Sequence, residues 1–425
     1  MSRTIELEIE AIGAGGAGVG RDADGRVVFV QRTAPGETVR ATVVEHKARW
    51  ARAELVSISR PAPERRDAPC RFYDRCGGCT LEHLHYPAQL AAKARIVADA
   101  LSRIGGLDVA PPEVVASPTE FQYRNRVSFT LARLRDGRVL AGFHELGRPD
   151  RVLDIDETCL VPEAPVAEAW GALRRAWGRN AARLPSGDRL RLTLRGTAAG
   201  RTALLVQGGF GPGHADELLP RVPTLDAVWH QPRPELEPRL LAGQERLAES
   251  WCDEELSLGG AIFLQVNRAA AALLEEHVMA VAGDVSGSTV VDAYCGVGLH
   301  ARRLARRGAR VTGIELDPQA VREARRGAPS AHFVTATVEG ALADALPADL
   351  VVLNPPRAGV APEAVDSLLA QPPARLIYIS CDPATLARDL KRLAPQFDLS
   401  SIRCFDLFPQ TSHVETVVEL VCCTT

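Results

Sequence analysis

Apolar and polar positions alternate at the start of the chain, as in Ile5-Glu6-Leu7-Glu8-Ile9, Val39-Arg40-Ala41-Thr42-Val43 and Ala53-Glu54-Leu55-Val56. Val27-Val28-Phe29-Val30 adds an apolar run, and glycines cluster between Gly13 and Gly20. Successive strand side chains point to opposite faces, so a period of two broken by glycine turns predicts four or five short strands in a small OB-like β-barrel over 1–60. Arg60-Pro61-Ala62-Pro63 reads as a linker.

Residues 61–250 read as a central α+β domain. A helix is predicted over 87–104, ended by Gly105-Gly106 and packing on the C-terminal domain. Strand-like runs follow at 127–134, 190–194 and 203–206, and the Ala-rich stretch 162–180 reads as helix. From about residue 251 the pattern changes. Apolar runs at 289–292, 311–315, 350–354, 376–380 and 416–420 alternate with helical stretches. Such alternation predicts a doubly wound, Rossmann-like parallel sheet over 251–425, with ligands bound at the carboxyl ends of its strands.

At 425 residues the chain is long enough for two or three domains. With 46% hydrophobic residues and a net charge of −3, it is no bulk polyanion binder. No apolar run reaches membrane-spanning length, and no apolar block near Met1 resembles a secretory signal; a cytoplasmic, monomeric protein is expected. Charge is nevertheless uneven. Between 121 and 151 seven arginines face three acids (Asp136, Glu145 and Asp150), and Arg302, Arg303, Arg306, Arg307 and Arg310 fall in a stretch without any acid. A local basic surface suits a phosphate backbone, and a merely solvated face suits the same pattern.

Val290-Val291-Asp292-Ala293-Tyr294-Cys295-Gly296-Val297-Gly298 is a buried strand entering a glycine turn and a helix. Glu315 ends the next strand, where a carboxylate can hold ribose hydroxyls. The third glycine of a dinucleotide fingerprint is missing, as is any phosphate-binding Gly-Lys-Ser/Thr, so nothing prefers a pyrophosphate. This loop is similar to the S-adenosylmethionine site of class I methyltransferases, which implies cofactor contacts by Asp292, Tyr294, Gly296, Gly298 and Glu315.

Farther on, Ser380-Cys381-Asp382-Pro383 puts a thiol just past an apolar strand. Asn354-Pro355-Pro356-Arg357 ends the preceding strand, His413-Val414-Glu415 precedes the last, and Phe263-Leu264-Gln265-Val266-Asn267 lies before the Rossmann-like unit. Together these motifs resemble the RNA 5-methyluridine methyltransferases along essentially the whole chain. Gly15 to Gly20 and Ala34-Pro35-Gly36-Glu37 resemble the turns of the RNA-binding TRAM barrel. The resemblance implies Cys381 as nucleophile, Glu415 as general base, Gln265 and Asn354 at the cofactor side, and Arg124, Arg126 and Arg357 toward RNA. It favours ribosomal (23S) over transfer RNA, because members carrying the barrel often act there.

Ten cysteines are present, three of them in Cys70-x5-Cys76-x2-Cys79. Such clustering reads as a metal or cluster site, and spacing alone leaves structural zinc and iron–sulfur both open. The family resemblance adds Cys159 as fourth ligand and implies a [4Fe–4S] cluster.

One residue departs from the family, which carries Asp-Pro-Pro-Arg where this chain has Asn354. Two further readings follow: a homologue that binds RNA without turnover, and a methyltransferase acting on another base such as cytosine.

Overall fold

Five strands close into the expected barrel in the computed structural model, which describes residues 3–259, 262 and 264–423; Phe263 lies outside them. Thr4–Ile12 pairs with Gly18–Arg21 and Thr38–His46, and Trp50–Arg60 joins Val27–Val30 to Thr38–His46. Alternate residues fill the interior: Leu7 and Ile9, Val28 and Val30, Val39 and Ala41, Ala51 and Ala53. Gly20 is required where the first two strands meet, because a Cβ there would sit 2.2 Å from the Glu8 carbonyl oxygen. Arg32, at φ 64°, reaches out of the barrel. Its guanidinium donates to the carbonyls of Tyr73 (2.6 Å), Cys76 (2.7 Å) and Cys79 (2.8 Å).

The central region is a six-stranded sheet in the order Arg239–Gly243, Leu225–Gln231, Thr202–Gln207, Arg189–Gly196, Arg126–Arg133, Val139–Gly142. The helix Ala164–Ala176 covers one face. Trp170 stacks on Phe129 with ring centroids 4.1 Å apart, and its Nε1 donates to the Ile155 carbonyl at 2.8 Å. Buried aromatic rings contribute area, and the satisfied indole N–H removes the cost of burying a polar atom.

Eight strands form the C-terminal sheet. Their order is His332–Thr335, Arg310–Glu315, Thr289–Ala293, Leu350–Leu353, Arg375–Ser380, Glu415–Cys422, Phe397–Phe405, Val114–Val115. The order reverses at Thr289–Ala293, which makes a switch point between it and Leu350–Leu353. The sheet is not wholly parallel as expected. Glu415–Cys422 runs antiparallel between Arg375–Ser380 and Phe397–Phe405, since the last two strands are joined without a crossover helix.

The helix Tyr86–Ala100 ends in a π-helical turn, Leu101–Gly105. Val97 and Leu101 are buried in the same core as Val291, Tyr378 and Leu386 of the C-terminal sheet and its helices. Gly105 lets the turn approach closely, for a Cβ there would lie 3.2 Å from the Ala387 carbonyl oxygen.

Candidate active site

The glycine loop follows the strand Thr289–Ala293. Tyr294 (φ 62°), Gly296 (φ 56°) and Gly298 (φ 73°) all adopt left-handed backbone, a conformation costly for the tyrosine and typical of binding turns. Asp292 is fully buried, and its Oδ2 accepts the Ala301 N–H at 2.9 Å at the start of the next helix. Burial raises its pKa to about 6 against the opposing pull of His300 and the Ala301 N–H. Glu315 Oε2 accepts the Gly296 N–H at 3.0 Å, and Oε1 accepts the Asp317 N–H at 2.8 Å. The acid at the second strand end therefore fixes the glycine loop of the first. Asn354 ends the strand Leu350–Leu353, and its N–H donates to Ala293 O at 3.3 Å across the switch point. Beside Glu315, Leu316 is 63% exposed, an apolar side chain left at the rim.

Strand register brings the second constellation together. Ser380 pairs with Thr416 across antiparallel neighbours, so one residue beyond that pair Cys381 stands beside Glu415. Cys381 also precedes Asp382, which caps the helix Pro383–Leu393 by accepting from Ala384 N (2.9 Å) and Thr385 N (3.0 Å). Burial pushes Glu415, 3% exposed, up to about 8, with Arg357 pulling the other way. The Cys381 thiol is pushed up to about 11 by burial and by Glu415, while Arg357 opposes both. His413 is held near 4 by burial and by Arg357, which makes it a neutral ring. Cys381, Glu415 and Arg357 thus share one electrostatic environment at a sheet end.

Cys70, Cys76, Cys79 and Cys159 line a single cavity with Tyr73, Glu82 and Arg124. Burial raises each thiol, Glu82 adds to the rise at Cys70, and neighbouring thiols add to it at Cys76, Cys79 and Cys159. Among the described residues no group of three or more His, Cys, Asp or Glu stands in metal-ligating geometry. Arg124 faces this cavity and lies over the Phe408 ring at 5.6 Å. Arg126 lies on the central sheet within electrostatic reach of Arg191. Gln265 accepts from Asn125 Nδ2 at 3.0 Å through its main-chain carbonyl.

Residues 336–422 match the tRNA (uracil-5-)-methyltransferase family, residues 2–56 the TRAM domain, and residues 290–372 a methyltransferase domain. An uncharacterized RNA methyltransferase of Gloeobacter violaceus is 36% identical over 98% of this chain and 96% of its own. One from Synechocystis is 34% identical, over 98% and 95% respectively. The chain belongs to the S-adenosylmethionine-dependent RNA uracil-C5 methyltransferases. The structure of this methyltransferase is also similar to that of the Pyrococcus abyssi tRNA (uracil-54, C5)-methyltransferase in complex with S-adenosyl-L-homocysteine. That likeness has a TM-score of 0.75 and 28% identity, over 99% of this chain and 100% of that one.

Two features of the methyltransferase escape its sequence. The arginines at 302–310, which suit a phosphate-binding or a merely solvated face equally, also make contacts within the fold, while Arg306, Arg307 and Arg310 remain exposed. Arg302 donates to Glu323 O, Arg303 to Cys252 O and Arg307 to Met279 O, and Arg306 pairs with Glu254. A run without acids is blind to acids and carbonyls supplied from elsewhere in the chain. The second feature is the segment leading to Glu415. Lys93 Nζ lies 2.5 Å from Asp406 Oδ1, both side chains being fully buried, and Tyr86 Oη donates to Asp406 Oδ2 at 3.0 Å. A lysine within an Ala-rich helix was the one signal available.

No helix among the described residues is long and apolar enough to cross a membrane.

Proposed function

We propose that this methyltransferase modifies uracil C5 by covalent catalysis, with Cys381 as nucleophile and Glu415 as base. The observation that carries the reading is the register that sets these two side by side at a sheet end, with Glu415 poised near neutrality. Carbon 5 of uracil is too weak a nucleophile to attack a sulfonium methyl. Addition of the Cys381 thiolate to carbon 6 forms an S–C6 bond and moves the C5–C6 π electrons into an enolate. Carbon 5 then takes the methyl, its bond to the donor sulfur breaks, and S-adenosylhomocysteine leaves. Glu415 removes the carbon-5 proton; that electron pair restores the C5–C6 double bond and expels the thiolate. Arg357, which lowers both neighbours, favours thiolate and carboxylate alike and can hold the nucleotide. A base inside a helix is out of reach, so the target nucleotide must be flipped out or lie in a loop.

Asp292, Tyr294, Gly296, Gly298, Glu315, Asn354 and Gln265 hold the methyl donor in this reading, with Glu315 at the ribose and Leu316 against the adenine face. Arg126 and Arg357 meet the RNA, whereas Arg124 belongs to the cysteine cavity. The four thiols do not stand in ligating geometry, but as donors lining one cavity they suit a thiophilic centre; Cys70, Cys76, Cys79 and Cys159 would hold a [4Fe–4S] cluster, with four-thiolate zinc as the alternative. Such a group would supply a rigid node and no redox step.

The RNA-binding barrel favours ribosomal (23S) RNA, in the cytoplasm. The full-length likeness to the Pyrococcus abyssi tRNA enzyme favours tRNA as the second reading. Nucleoside mass spectrometry after incubating anaerobically purified protein with S-adenosylmethionine and separated, unmodified ribosomal and transfer RNA decides between them. New 5-methyluridine in one fraction supports the reaction and names the substrate. Another methylated base, or none, overturns it.

A further inference from the structure

Three separate parts of the chain meet at Thr80, the residue after Cys79. From the barrel, the glycine turn arrives with Gly16 (φ 80°), packed so tightly that a Cβ would lie 2.4 Å from Thr80 Oγ1. From the C-terminal sheet comes the segment 408–414, which ends at Glu415. Thr80 holds that segment twice: its N–H donates to Gln410 O at 2.8 Å, and its Oγ1 accepts the Ser412 N–H at 3.2 Å. Ser412 Oγ in turn donates to the Ala14 carbonyl of the barrel at 2.7 Å. Tyr73, from the cysteine loop, donates its hydroxyl to Thr80 O at 3.1 Å.

The segment is restrained at its other polar atoms as well. Gln410 is fully buried at φ 68°. Its N–H donates to Gln89 Oε1 (3.0 Å), and its own Oε1 accepts from Gln89 Nε2 (2.9 Å) and Arg66 Nη2 (3.1 Å). A non-glycine residue with left-handed backbone persists only where its surroundings over-determine it. Here those surroundings are the cysteine loop and the helix Tyr86–Ala100. Two residues, His413 and Val414, separate Ser412 from Glu415.

We propose that Thr80 is a positioning residue for the base: its hydroxyl, clamped between the barrel turn and the cysteine loop, sets the segment that presents Glu415 to the carbon-5 proton. The inference rests on the reading of Glu415 as base. It makes the cysteine loop and the RNA-binding barrel parts of the catalytic geometry, since both grip the same residue.

Two substitutions separate the hydroxyl from the packing. Thr80→Val keeps the shape and removes the acceptor of the Ser412 N–H; Thr80→Ser keeps the hydroxyl and removes the methyl. With the full-length protein and its RNA, Thr80→Val lowers kcat on the order of tenfold, the size of effect expected when one hydrogen bond orienting a catalytic group is lost. KM for RNA and for S-adenosylmethionine stays within about twofold, and a covalent protein–RNA adduct builds up on denaturing gels, because proton removal has become the slow step. Thr80→Ser restores wild-type kcat and removes the adduct. Equal losses in Val and Ser variants, unchanged kcat in Thr80→Val, or a fall in kcat without adduct would each overturn the proposal. Wild-type protein run alongside keeps the two failures apart: no 5-methyluridine from it is a failure of the assigned reaction, not of Thr80.

Discussion

Two buried carboxylates stand at strand ends of the same sheet, and they are built for opposite purposes. Asp292 is met by a backbone N–H of the following helix and by the His300 ring, whose Nδ1 lies 3.8 Å from Asp292 Oδ1. Burial opposes the imidazolium of His300, but Glu275 and Asp292 outweigh it and raise that group to about 9. Charge at Asp292 is thus answered by charge, and its pKa remains near 6. Glu415 sits between strands of apolar residues, with Arg357 the one cation that pulls its pKa down. It is pushed farther, to about 8. The first acid is arranged to remain ionised and hold a loop; the second can take up and release a proton near neutral pH. Burial alone does not define a catalytic acid or base, since what accompanies the burial decides which of the two roles follows.

Removing the nucleophile is the harshest test of that contrast. Cys381→Ala abolishes turnover while S-adenosylmethionine binding, followed by calorimetry, stays within about twofold, because the thiol belongs to the Glu415 side alone. Retained turnover would end the assignment. Glu415→Gln comes next, with turnover reduced about 10²- to 10⁴-fold, the range for loss of a general base. It accumulates a protein–RNA adduct, and the rise of kcat/KM through pH 8 expected of the wild type is absent. Asp292→Asn has the reverse signature: S-adenosylmethionine affinity falls about tenfold while kcat at saturation changes little, as for a group that binds ground and transition states alike. If both acid variants lost affinity equally, the distinction would collapse.

A separate effect is on stability. Glu415 has a folded pKa near 8, above its ordinary 4.5, so its favourable contribution is complete below about pH 4.5 and is lost as pH rises through 8. Glu415→Gln escapes that loss and gains on wild type by up to about 5 kcal/mol between those limits. Thermal melts of both proteins from pH 4.5 to 8.5 measure it, and a constant gap would contradict the burial of an ionisable carboxyl at this position.

Five strands of the C-terminal sheet were legible because each carries a short apolar run, whereas His332–Thr335 and Val114–Val115 are too short to announce themselves. Asp292, Glu315, Asn354 and Cys381 were legible for the same reason, as each follows or ends such a run. The strand Phe397–Phe405 escaped because polar Asp398, Ser400, Ser401 and Arg403 interrupt it near the sheet edge. The internal contacts of the arginines at 302–310 were not legible, since their partners Glu254, Cys252 and Glu323 are remote in sequence. The grip on the segment before Glu415 was invisible because what Thr80 holds are main-chain atoms of Gln410 and Ser412, which no residue type announces.

The short strand Val114–Val115 and the helix Tyr86–Ala100 have a bearing on how the protein comes into being. The strand belongs to the catalytic sheet and the helix packs in its core, yet the six-stranded sheet separates both in sequence from the sheet's other strands. During synthesis Val97 and Leu101 emerge long before the core that buries them, and must wait, exposed, for nearly the whole remaining chain. Contacts so distant in sequence make for slow folding. A fragment beginning at residue 251 would lack those plugs altogether, leaving an apolar hollow and a bare strand edge, the ingredients of aggregation. The catalytic half of this enzyme is therefore not a module that can be cut free and moved.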